Sequence, residues 1–118
     1  MNVEAPLALA TTDPDRPGLE IRVNFGVFAG RGATPAEIDD LARELIPAVG
    51  EVSIVAEERH ELSGESEASL NQVRIEVEAE RLPASPSERE ALIQHLVAAS
   101  ERWAEACIAD RHAEVSEL

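Results

Sequence analysis

Residues 19–50, LEIRVNFGVFAGRGATPAEIDDLARELIPAVG, contain the clearest strand pattern, the clearest loop and the clearest helix start of this 118-residue chain. Apolar residues occupy every second position from Leu19 to Val27, and mostly polar residues fill the positions between them. Such an alternation is typical of a strand with one buried and one solvated face. The stretch therefore predicts a first strand, followed by a glycine-containing loop and a helix.

The start of this helix is marked by a capping sequence. Thr34 supplies an N-cap hydroxyl, Pro35 stands at the first helical position, and Glu37 is placed to complete a capping box. Pro47 has no backbone N–H and restricts the residue before it. We therefore expect the first helix to run from Pro35 to about Ile46.

The rest of the chain repeats these signals. Alternating patterns predict a second strand over residues 52–62 and a third over residues 73–80, joined as an antiparallel hairpin by an acidic loop at 63–69. Ser85 and the proline and glutamate that follow it repeat the capping sequence. We expect a second helix from there to about Asp110.

The element order β-α-β-β-α predicts an α+β, ferredoxin-like (split βαβ) module. It would have a three-stranded sheet, with the third strand between the other two, two helices on one face, and no final strand. Residues 19–110 form the predicted single domain. Residues 1–18 are a poorly determined N-terminal segment in which an edge strand is not favoured, and residues 111–118 are a polar C-terminal tail.

Composition restricts the classes of partner. The formal net charge is −14, with 24 acidic residues against 10 basic ones, all of them arginine. A chain of this charge is repelled by phosphate backbones and anionic lipids, so neither nucleic acid nor membrane is an expected partner. The sequence has no apolar run of about 18 residues and no basic, apolar N-terminal signal, which predicts a cytoplasmic protein. Its single cysteine excludes an internal disulfide.

One loop has the composition of an anion site. Gly30, Arg31, Gly32 and Thr34 lie between the first strand and the first helix, where free backbone amides, the helix dipole and a guanidinium could hold phosphate or carboxylate. Glycines in such a loop also have a purely steric explanation. Both interpretations stay open at this stage.

Catalytic and metal sites are not expected. His60 has Glu58 on the same strand face but no second imidazole nearby, which favours a solvated hairpin over a metal site. Cys107 lies on the apolar flank of the second helix and is interpreted as a small buried residue. The solvated sheet face mixes charges and has no aromatic residue that could stack on RNA bases. No cofactor is predicted.

Two surfaces predict self-association. The first is the edge of the first strand at Val23, Phe25 and Val27, which the three-stranded arrangement leaves unpaired unless residues 5–11 cover it. The second is an additional apolar stripe on the second helix, formed by Ile93, Val97, Ala104 and Ile108, which the first helix, the N-terminal segment or another subunit must cover.

The function predicted from these surfaces is a non-enzymatic, self-associating module that forms at least a dimer and acts through protein–protein contacts. The alternative is a small enzyme or ligand sensor that binds a small anion at the glycine-containing loop.

Overall fold

The computed structural model describes residues 7–13, 16–29, 31–63 and 66–116, with side chains in the ranges 7–11, 18–26, 28–29, 31–57 and 71–109. It has an α+β fold with a four-stranded antiparallel sheet. The elements in chain order are β1 (Ala8–Asp13), β2 (Arg16–Val23), the short α1 (Phe25–Ala29), α2 (Pro35–Val49), β3 (Ser53–Ser63), β4 (Ser66–Glu78), a 3-10 turn (Ala79–Arg81) and α3 (Pro86–Ser116).

The spatial order of the strands is β1-β2-β4-β3. β4 lies between β2 and β3, antiparallel to both, as predicted for the third strand of the sequence pattern. The prediction of three strands is wrong, because β1 pairs with the other edge of β2 and places Ala8 opposite Val23. β1 thereby provides hydrogen-bond partners for backbone groups of β2 that would otherwise form an open edge.

The predicted first strand ends earlier than its alternating pattern indicates. After Val23 the chain turns, and residues 25–29 form the helix α1. The turn buries the Phe25 ring completely, against the indole of Trp103 on α3. At Gly26 the backbone approaches β4 so closely that a Cβ atom would lie 2.8 Å from the backbone nitrogen of Asn71. Glycine is therefore required there for close packing.

α2 begins at Pro35 as predicted but continues through Pro47 to Val49. A proline inside a helix removes one hydrogen bond. The additional turn buries Val49, which is 7% exposed, and this apolar burial offsets the loss. Gly50 ends the helix with a positive φ of 85° and donates its N–H to the carbonyl oxygen of Ile46 over 2.7 Å.

The β3–β4 hairpin and α3 are longer than predicted. β4 begins at Ser66, inside the segment that was predicted to be a loop, and pairing with β3 continues to Ser63 opposite Ser66. α3 continues past Asp110 to Ser116.

The core lies between one face of the sheet and the helices α2 and α3. Alternate residues of the central strands point into it, together with one stripe of each helix. Its fully or almost fully buried members from β2 and β4 are Leu19, Ile21, Val23, Val73, Ile75 and Val77, and those from the two helices are Leu41, Leu45, Leu96, Ala99, Trp103, Ala104 and Cys107. Within the described residues, the opposite face of the sheet, which carries Glu20, Arg22, Arg74 and Glu76, contributes nothing to this core.

Candidate functional site

The loop before α2 brings a guanidinium and a carboxylate together. Arg31 Nη1 lies 2.7 Å from Glu37 Oε1, and Arg31 Nη2 lies 2.8 Å from Glu37 Oε2. This is the bidentate geometry of a strong arginine–carboxylate pair. Both side chains are largely buried, with 24% and 18% of their surfaces exposed. The loop therefore closes on the first turn of α2 through its own charges.

The same carboxylate completes the predicted helix cap. The backbone N–H of Thr34 donates to Glu37 Oε1 over 2.9 Å, and the Glu37 N–H donates to Thr34 Oγ1 over 3.2 Å. This reciprocal pair is a capping box. The cap was evident in the sequence, whereas the pairing of Arg31 with Glu37 was not predicted.

Aromatic side chains and a thiol surround this pair. The Arg31 guanidinium lies 5.3 Å from the centre of the Phe25 ring, within the range of a cation–π contact. The indole N–H of Trp103 donates to the backbone oxygen of Glu37 over 2.8 Å. Cys107 also hydrogen-bonds the Glu37 carboxylate. The cluster of Phe25, Arg31, Thr34, Glu37, Trp103 and Cys107 is called the Arg31–Glu37 cluster below.

The cluster strongly favours the ionised form of Glu37. Hydrogen bonding from Arg31 is the largest cause and lowers the pKa of Glu37 from 4.5 to about 2, against the opposing effect of burial. Hydrogen bonds from Thr34 and Cys107 lower the pKa further. Glu37 thus remains a carboxylate throughout the physiological pH range.

Three of the four predicted anion-binding residues are described. Arg31 and Thr34 already bind an internal carboxylate, and Gly32 accepts a hydrogen bond from Arg31 at its carbonyl oxygen over 2.9 Å. Gly30 lies outside the described residues. An external anion would have to compete with Glu37 for the same donors.

The open face of the sheet has its own network of charges. Arg74, on the central strand β4, lies within 4 Å of three carboxylates, namely those of Glu20, Glu57 and Glu76. Arg22 pairs with Glu20 at 3.0 Å. The mixture of charges predicted for this face is present, and the ion pairs run diagonally between strands or along one strand. Residues directly opposite each other, such as Arg22 and Arg74, carry like charges and repel each other. The diagonal and within-strand ion pairs offset this repulsion.

Glu20 is the best-partnered carboxylate of this face. Burial raises its pKa, but hydrogen bonds from Arg22 and Thr11 and the nearby charge of Arg74 outweigh burial, so the pKa of Glu20 is lowered overall. Thr11 Oγ1 lies 3.0 Å from Glu20 Oε2 and thereby links β1 to this network. The N-terminal strand is therefore part of the polar face as well as of the sheet.

An open groove of about 490 Å³ lies at the end of this face where β3 begins. Side chains of both charges and two hydroxyls line it, among them Thr11, Glu20, Arg22, Ser53, Glu76 and Arg81. Arg81 closes one side through Glu51, with Nη2 2.9 Å from Oε2. None of the described residues that line the groove carries an imidazole or a thiol.

The buried side-chain amide of Gln72 is only partly satisfied. Gln72 is 9% exposed, and its amide nitrogen donates to Asn24 Oδ1 over 2.8 Å. Its Oε1 atom has no hydrogen-bond partner among the described residues. The contact with Asn24 fixes the position where β2 ends beside β4.

The hairpin of β3 and β4 continues beyond the rest of the sheet. β2 pairs with β4 only over residues 73–78 of β4, whereas β3 pairs with β4 over residues 66–76. From Val73 towards the turn of the hairpin, β3 and β4 thus continue as a two-stranded ribbon. Within the described chain, no strand pairs with the outer edge of β3.

The residues predicted to form an oligomer interface have different environments. Val23, Phe25 and Ala104 are completely buried in the core of the chain itself. Ile93 and Val97 are half-buried against that core, and Ile108 is half-buried on the same helix. The side chain of Val27 lies outside the described part. The premise of an unpaired edge at β2 is corrected, because β1 occupies that edge.

The described residues contain no group of three or more histidine, cysteine, aspartate or glutamate side chains placed to hold a metal ion. The side chain of His60 is not among them. None of the described helices combines the length and the hydropathy needed to cross a bilayer. Comparison with protein-family models, curated proteins and solved structures found no match to this chain.

Proposed function

We propose that this protein is a non-enzymatic, self-associating module that acts through protein–protein contacts in the cytoplasm. The observation that supports this proposal best is the outer edge of β3, which extends over eleven residues without a described neighbour. Unpaired strand edges expose a row of backbone donors and acceptors that favours pairing with another chain. β3 contains no proline, although the four charged residues of its sequence oppose pairing at such an edge.

The ribbon adds a second reason. An isolated two-stranded ribbon is only marginally stable in water. Here residues 58–63 of β3 pair with residues 66–71 of β4 beyond the end of β2, over roughly 20 Å at about 3.3 Å per residue. A partner strand beside β3 would convert this ribbon into a three-stranded sheet. Association would therefore stabilise the ribbon, which has fewer neighbouring strands within one chain than the rest of the sheet.

The proposed architecture is a ferredoxin-like module with a changed strand order along the chain. In the predicted pattern the final strand was missing. β1 lies beside β2, antiparallel to it, which is the place that a final strand of this module would occupy. We interpret the fold as one in which an N-terminal strand replaces the C-terminal one. This arrangement leaves β3 as the longer of the two edge strands.

Sedimentation equilibrium tests the proposed function. At high micromolar concentration and physiological salt we expect a mass of about twice the 12.7 kDa of one chain, or a higher multiple. The net charge of −14 opposes association, but beyond about 8 Å it is largely screened at that salt. A monomer at this concentration contradicts the proposal.

The competing function is binding of a small anion at the loop before α2. It is favoured by one observation, namely that Arg31 and the backbone of Thr34 already hold a carboxylate there. The internal carboxylate competes with any external one, so we expect millimolar phosphate to leave the melting temperature unchanged relative to chloride of equal ionic strength. A rise that Arg31→Ala abolishes, and that Arg43→Ala on the exposed side of α2 does not, would favour the anion-binding function.

A further inference from the structure

We draw no further inference here: the strongest candidate, the open groove of about 490 Å³ at the end of the sheet face opposite the core, has its Arg22 and Arg81 already paired with Glu20 and Glu51, so that it offers a ligand only a cluster of acidic side chains, with nothing among the described residues that shows what would bind there.

Discussion

Trp103→Ala should lower the free energy of unfolding by about 3–5 kcal/mol. Trp103 is 6% exposed, and its ring packs at 5.3 Å from Phe25. It also fixes α3 to the first turn of α2 through its hydrogen bond to the Glu37 backbone. Small domains have total stabilities of about 5–15 kcal/mol, so this loss would remove a large part of the folding free energy.

Urea unfolding followed by far-UV circular dichroism measures this loss without relying on the single tryptophan. Trp103→Phe keeps an aromatic ring in the core but removes the indole N–H and part of the buried ring, so it should cost about 1 kcal/mol through the hydrogen bond, plus a packing loss. Arg102→Ala, at the neighbouring exposed position of α3, is the matched surface control. If Trp103→Ala stays within 1 kcal/mol of the parent, the contact between α3 and the loop does not carry the stability assigned to it.

Glu37→Gln should lower the free energy of unfolding by about 2–3 kcal/mol at neutral pH. The substitution leaves the charged Arg31 guanidinium with one neutral amide oxygen as acceptor in place of a bidentate carboxylate and weakens the capping box, while Arg31 stays partly buried. Glu44→Gln, on the exposed side of the same helix, changes the net charge equally and should have an effect below about 0.5 kcal/mol. Equal effects of the two substitutions would contradict the role of the pair.

The pH dependence gives the same prediction an independent readout. The pKa of Glu37 is about 2 in the folded chain and near its ordinary 4.5 in the unfolded chain. A lowered pKa contributes stability that is fully present above pH 4.5 and is lost as the pH falls towards 2, in total up to about 3 kcal/mol. The difference in stability between the parent and Glu37→Gln should therefore be largest above pH 5 and shrink towards pH 2. A difference that does not change with pH would contradict this cause.

Features that depend on neighbouring residues were predictable from the sequence. The cap of α2 needs only a hydroxyl at Thr34 and a carboxylate three residues later, and both bonds are present. The alternation in β3 and β4 determined their pairing, because a shift by one residue would expose the core positions of both strands. The composition also explains the kinds of charge on the open sheet face, which are carboxylates and arginines, because the sequence contains no lysine.

The Arg31–Glu37 cluster was only half predictable. The sequence identified Arg31 and Thr34 as donors at a helix N-terminus, but it did not indicate which carboxylate they would hold. The indole that completes the cluster is 66 residues from Glu37 along the chain. Contacts at that separation follow from how the helices pack on the sheet, which no local pattern specifies.

The sequence alone determined that this chain forms strands and helices with one apolar side each, because every such element must bury that side against another. Only the tertiary structure decided which strand edges stay open. Phe25 continues an alternating pattern, yet the gain from burying its ring against Trp103 exceeds that from lengthening β2. Residues 8–13 have only a weak alternation of apolar and polar residues. They form a strand because they provide hydrogen-bond partners for the backbone groups along the edge of β2. With that edge covered, β1 and the longer β3 are the edge strands of the described sheet, since backbone pairing is settled only when all strands are in place.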